Sequence, residues 1–92
     1  MQLEDVAVGM LVMATTDRPS GNRCLNAGDI GTVVHIYQKN FPQIGIDWGC
    51  NVYGHTCAGH CEDKHGWAVD PDEIMPVYEE DDAQYIDLSG LL

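Results

Sequence analysis

The chain has 92 residues and a mass of 10.1 kDa, which is enough for one small domain. Hydrophobic residues make up 45% of it, so a packed core is expected and disorder throughout is excluded. Fifteen acidic residues against four basic ones give a net charge of −11, which excludes a surface that grips nucleic-acid phosphates or anionic lipids. With no signal-like stretch at its start and no long apolar run, we expect a cytoplasmic protein without nucleic-acid or membrane partners.

Five short stretches have the composition and alternation of β-strands. They lie at residues 10–16, 31–39, 44–48, 66–69 and 75–79. A polar loop at 17–29 follows the first stretch, a turn at 40–43 follows the second, and a loop rich in Gly, His and Cys occupies 49–66. Residues 71–74 predict one short helical turn, because Asp70 before Pro71 is a typical helix start.

These elements predict an all-β fold, a small SH3-like five-stranded barrel over residues 1–78. In the second strand, alternation places three side chains on one face: Thr32, Val34 and Ile36. The other face receives Val33, His35 and Tyr37. The third strand points three side chains inward, Ile44, Ile46 and Trp48, with Gly45 and Asp47 outward. The expected core is built largely from Trp48, Trp67, Ile36, Ile46 and Val34.

The acidic residues concentrate at the C-terminal end. Residues 70–92 contain eight acids and no base, and residues 79–92 form an acidic tail with four consecutive acids and an apolar end. The tail is either a flexible, solvated segment or a docking segment that orders on binding. In the docking case its anchors are Tyr85, Ile86, Leu88, Leu91 and Leu92.

Three runs carry a resemblance to known domains: GDIGTVVHIY, IGIDW and GHTCAGHCEDKHGWAVDPDEI. They resemble small bacterial and phage SH3-like domains of uncertain function, and their layout is similar to that of CAP-Gly domains. The resemblance covers roughly residues 9–77 and implies an SH3-like barrel. CAP-Gly domains bind acidic, aromatic-ended peptides through a Gly-Lys-Asn-Asp-Gly loop, but the matching stretch here, GCNVYGHTCAG, has no lysine. The acidic ligand of that family is therefore not expected here.

The loop at 49–66 holds the densest set of chemically active side chains. Thiolate and imidazole suit tetrahedral zinc, and the tentative ligand set is Cys50, Cys57, Cys61 and His65. Their spacing, C-x6-C-x3-C-x3-H, matches no standard zinc finger or ribbon, so reduced loop cysteines beside hydrogen-bonded histidines are the main expectation. A disulfide is the third reading, in which four cysteines, Cys24 included, allow three pairings.

Cys61 beside His60 or His65, with Asp63 nearby, has the residue types of a Cys–His nucleophile. Adjacency in sequence does not orient a thiol towards an imidazole, and we expect no enzyme activity.

Aromatic side chains indicate a second kind of site, since SH3-like barrels often bind extended peptides in aromatic grooves. The candidate binding residues are Tyr37, Phe41, Tyr53, His55 and Trp67. Three nearby acids, Asp47, Glu62 and Asp63, would attract a basic ligand. We therefore predict a non-enzymatic protein-interaction module, without a cofactor, for a basic or neutral protein segment. The alternatives are a zinc-stabilised small domain and an acidic decoy that mimics nucleic acid through residues 70–92.

Overall fold

The computed structural model describes residues 2–37 and 42–77 and has an all-β architecture. Its strands are β1 (Leu11–Ala14), β2 (Ile30–Ile36), β3 (Ile44–Asp47), β4 (Gly66–Val69) and β5 (Ile74–Pro76). Three short 3-10 turns accompany them, at Leu3–Asp5, Pro19–Gly21 and Pro71–Glu73. Within the described ranges, no helix has the length and apolar character needed to cross a membrane. The domain limit predicted at residue 78 and the acidic tail lie outside the described residues.

All five strands belong to one antiparallel sheet with the order β4-β3-β2-β1-β5. The predicted strands are thereby confirmed, although β2 ends at Ile36 and β5 begins at Ile74. The sheet is not closed between β4 and β5, so the structure establishes the all-β class and five antiparallel strands but not a barrel. β1 lies between β2 and β5, so it pairs with one strand that follows soon after it and with one about sixty residues later in the sequence.

The core packs against the inner face of the sheet, where Ile44, Ile46 and Trp48 are buried as the alternation predicts. The prediction for β2 was wrong at two residues, because Val33 is fully buried whereas Val34 lies outside the core cluster. The register between β2 and β3 shifts between Val33 and His35, which marks a β-bulge. A bulge inserts one extra residue and reverses the alternation that follows it.

Two partly buried hydrophobic residues complete the predicted core set. Ile36 and Trp67 both pack against the buried cluster rather than lying within it. Because of the bulge, Ile36 lies on the same face as Val33, although an uninterrupted strand would place these two residues on opposite faces.

One carboxylate connects the first loop to the predicted helical turn, which the structure confirms as the 3-10 turn Pro71–Glu73. Glu73 accepts hydrogen bonds from the Ser20 amide at 2.7 Å and from the Ser20 hydroxyl at 2.6 Å. It also accepts one from the Asp70 amide at 2.9 Å, at the start of its own turn. Ser20 has a left-handed backbone with φ 48°, so this contact also holds a conformation that is unfavourable for serine.

Candidate functional site

A groove lies where the first loop meets the long loop and β4. We call it the aromatic groove; it has a volume of about 370 Å³ and is lined by Gly21, Asn22, Arg23, Cys24, Val52, Tyr53 and Trp67. Its lining is mainly apolar and includes two aromatic side chains, which is typical of sites that bind small or extended ligands.

A buried asparagine joins the two loops that form the groove. Asn22 is only 6% exposed, and its side-chain amide donates to the Val52 carbonyl at 3.0 Å. Its side-chain oxygen accepts from the Cys24 amide at 2.8 Å. Both polar ends of the side chain are therefore paired, as burial requires. Val52, fully buried, is held in turn by a bond from its amide to the Lys64 carbonyl at 2.9 Å.

Tyr53 is the exposed large hydrophobic side chain of the groove, with 75% of its surface open to solvent. Its φ of 58° is left-handed, and its amide donates to the Asn51 side chain at 2.8 Å in an Asx-type turn. A large aromatic group is thus held outward by a backbone conformation that a tyrosine seldom adopts. Aromatic side chains such as tyrosine are enriched at interaction surfaces.

Trp67 forms the inner wall of the groove from β4, at the register position opposite Ile46. Its indole N–H is buried and has no acceptor among the described residues. The His55 ring lies 5.8 Å from the Trp67 ring, tilted by 31°. Gly54 packs against the Trp67 ring and the Gly66 carbonyl so closely that it has no room for a side chain. The long loop therefore packs closely against Trp67 and fixes this wall of the groove.

A second cluster lies on the outer face of the sheet, at Gly45 and Gly66. We call it the thiol cluster; it consists of His35, Tyr37, Cys57, His60 and Cys61. The His35 ring stacks on the His60 ring at 4.8 Å and meets the Tyr37 ring edge-on at 4.5 Å. Cys57 is fully buried although it lies in a loop, because the loop packs directly onto the two glycines.

The two thiols of this cluster are neighbours. Both sulfurs lie beside Gly66, and the Cys57 sulfur and the Tyr37 ring both lie beside Gly45. Burial raises the pKa of Cys57 to about 12, and the adjacent Cys61 adds to this effect. Burial and then the charge of Asp47 also raise the pKa of Cys61. Burial raises the pKa of Tyr37 as well, so all three groups are protonated at neutral pH.

The predicted binding residues divide between the two clusters. Tyr53 and Trp67 line the aromatic groove, and His55 contacts the Trp67 ring. Tyr37 lies in the thiol cluster instead, and Phe41 is outside the described residues. The groove also contains first-loop residues that the sequence analysis did not select, Gly21 to Cys24. The Pro-Ser-Gly-Asn run at 19–22 signals a turn, but it carries no information about which loop the turn meets.

The tentative metal ligands do not form a set of three. Cys57 and Cys61 are adjacent, whereas Cys50 is exposed and His65 faces two carboxylates. The His65 nitrogens lie 3.9 Å from Asp47 and 3.7 Å from Glu62. Across residues 2–37 and 42–77, no group of three or more His, Cys, Asp and Glu side chains is arranged to hold a metal ion.

The chain was also compared with known proteins. No protein-family model, curated protein or solved structure gave a significant match. The aromatic groove and the thiol cluster are therefore the features on which a function can be based.

Proposed function

We propose that the chain is an SH3-like barrel whose aromatic groove binds an extended segment of another protein. For the fold, the support comes from the short link between β4 and β5. These strands are the two ends of the sheet order, yet only the 3-10 turn and Asp70 separate Val69 from Ile74. Such a link spans about 10 Å, whereas four strand spacings in a flat sheet measure about 19 Å. A sheet that curls towards closure accommodates the shorter link.

The proposed function rests on one observation, namely that an exposed tyrosine lines a mainly apolar groove. Tyr53 and Trp67 line the same groove, and Val52 supplies its buried floor. Rigid aromatic side chains provide much contact area at a small entropic cost, which is why they dominate binding surfaces. The main free-energy cost of binding is the ordering of the ligand. A neutral segment with one or two apolar side chains would suit a groove of this size.

Charge favours a basic or neutral ligand over an acidic one. The net charge of −11 repels acidic peptides at long range and raises the local concentration of basic ones. Lys64 is joined to the groove wall, since its carbonyl accepts from the Val52 and Gly54 amides, and Glu62 and Asp63 precede it. Arg23 is the cation at the groove itself and would bond a backbone carbonyl of the bound segment.

Replacing Tyr53 by alanine is expected to weaken binding by about tenfold or more, since central aromatic anchors typically contribute this much. The ligand would be a peptide selected from a random library with the wild-type chain, and its affinity for both proteins would be measured by calorimetry. Val8→Ala is the matched control, because Val8 is 64% exposed and does not line the groove. Equal affinities for wild type and Tyr53→Ala would refute groove binding, provided that both proteins have the same circular dichroism spectrum.

The zinc and decoy alternatives predict different measurements. Native mass spectrometry of chain purified without a metal-affinity tag, before and after a chelator, would reveal one zinc per chain if Cys57 and Cys61 recruit further ligands. An acidic decoy requires residues 70–92, so its partner binding would fall steeply with salt and vanish when the tail is removed. Groove binding would persist in both experiments.

A further inference from the structure

The thiol cluster contains two cysteines that share one small space. A Cβ atom placed on Gly66 would lie 2.6 Å from the Cys57 sulfur and 2.9 Å from the Cys61 sulfur. The two sulfurs are therefore close neighbours at the same residue of β4. Because Gly66 has no side chain, nothing from β4 separates the two thiols.

The turn that carries these thiols has an unusual backbone. Cys57, Ala58 and Gly59 are all left-handed, with φ of 50°, 60° and 88°. The Thr56 carbonyl accepts three amide bonds, from residues 59 to 61, at 3.1, 2.9 and 3.1 Å. Left-handed conformations are unfavourable for residues that have a Cβ, as Cys57 and Ala58 do. The bonds to Thr56 hold this costly turn and thereby keep both sulfurs on the same side of it.

Access to the two thiols is unequal. Cys57 is fully buried, whereas Cys61 is partly exposed and can meet a molecule from solvent. The two remaining cysteines, Cys24 and Cys50, are exposed. In thiol–disulfide exchange, one thiol attacks an external disulfide, and a second thiol then breaks the mixed disulfide that results. The first thiol must be accessible, as Cys61 is, whereas the second needs only to lie beside it, as Cys57 does.

We propose that Cys57 and Cys61 are a dithiol–disulfide couple that exchanges with low-molecular-weight disulfides of the glutathione class. The Cys61 thiolate attacks one sulfur of the small disulfide, forming a mixed disulfide and releasing one thiolate. Cys57 then loses its proton, and its sulfur attacks the Cys61 sulfur, forming the intramolecular bond and releasing the second thiolate. The two protons from Cys57 and Cys61 end on the two released thiols, so two protein thiols are oxidised and one small disulfide is reduced.

This couple is independent of the aromatic groove, since it uses none of the groove's residues. The second step is intramolecular between residues four positions apart, so it has little loop entropy to overcome. The first step is slow at neutral pH because the raised pKa of Cys61 leaves little thiolate, and the second step is slowed in the same way because burial raises the pKa of Cys57 to about 12. The exchange rate is therefore expected to rise by nearly tenfold for each pH unit while the pH stays below that pKa.

The test uses the full wild-type chain in a buffer of oxidised and reduced glutathione at pH 8. After quenching with an alkylating agent, intact-mass and peptide mass spectrometry identify the state of each cysteine. We expect a chain lighter by two hydrogens with a Cys57–Cys61 cross-link, while Cys24 and Cys50 carry glutathione or alkyl groups. A lasting mixed disulfide at Cys61 with Cys57 unmodified, or a bridge that includes Cys24 or Cys50, would overturn the proposal.

Two variants sharpen the assignment without altering the buried Cys57. The Cys24→Ser/Cys50→Ser double variant should form the cross-link at the wild-type rate, since both replaced side chains are exposed. Cys61→Ser should lose the cross-link entirely and leave Cys57 reduced. Loss of the cross-link in the double variant would mean that the exposed cysteines take part, which contradicts a couple made of Cys57 and Cys61.

Discussion

Replacing Gly54 by alanine is expected to lower the free energy of unfolding by about 3 kcal/mol, a large share of the stability of so small a domain. A methyl group at this position would overlap the carbonyl oxygen of Gly66 and press on the Trp67 ring at 3.3 Å. The nearest obstacle is backbone, which cannot rotate away as a flexible side chain does. The long loop must therefore separate from β4, and chemical denaturation would measure the loss.

Gly28→Ala is the control for this substitution. A Cβ atom at Gly28 would lie in open space, but the φ of Gly28 is 98°, so alanine there has only an unfavourable backbone conformation. We expect a loss of about 1 kcal/mol, well below that of Gly54→Ala. Equal losses for the two variants would mean that close packing of Gly54 against Gly66 adds nothing.

Replacing Glu73 by glutamine is expected to cost about 2 kcal/mol at neutral pH, because three hydrogen bonds to one charged carboxylate are weakened together. The variant removes the charge but keeps the shape, so it tests the bonds from Ser20 and Asp70 rather than the packing. Asp72→Asn is the matched control, because Asp72 is an exposed carboxylate in the same 3-10 turn. A loss no larger than that of the control would contradict this role of Glu73.

The stabilising effect of Glu73 depends on pH in a defined direction. Burial alone raises the pKa of Glu73, but the hydrogen bonds from Ser20 and Asp70 outweigh it and hold the pKa below its ordinary value of 4.5. A lowered pKa in the folded state adds stability above pH 4.5, and this contribution is lost as the pH falls through the folded-state pKa. Denaturation curves of wild type and Glu73→Gln should therefore converge as the pH is lowered from 6 to 3.

The strands were predictable because their side chains obey local rules. In β3 and the residue that follows it, Ile44, Ile46 and Trp48 alternate without interruption, and the structure buries all three. The second strand contains an equally regular pattern, but the bulge beside Val33 changes its faces after that residue. A bulge depends on how two strands pair, and no spacing within one strand encodes it.

The candidate site was only partly predictable for a similar reason. The aromatic composition of the long loop and β4 pointed to Tyr53 and Trp67, which line the same groove. The contribution of the first loop depends on the bond from Asn22 to Val52, thirty residues apart in sequence. Composition indicates which side chains are able to bind, but the meeting of two loops follows from the packing of the whole domain.

The contact between Cys57 and Cys61 was less predictable than the strands but more predictable than the meeting of the two loops. Four cysteines left three pairings open, and Cys57 and Cys61 are the pair closest in sequence. Their contact nevertheless depends on a left-handed turn and on Gly66 in a strand that begins five residues after Cys61. Alanine at residue 58 gives no sign of such a turn, because left-handed conformations are unfavourable for it.

During protein synthesis, the two strands that pair with β1 are made at very different times. β2 can pair with β1 soon after residue 36 is made, but Glu73 and β5 emerge only after residue 72 is made. Until then the nascent chain has an unpaired edge along Leu11–Ala14 and an untethered first loop. Contacts between distant parts of a chain slow folding to the range of milliseconds to seconds. The ribosome must therefore release residues up to Pro76 before the five-stranded sheet can form, and a product ending before Ile74 would expose β1 to aggregation.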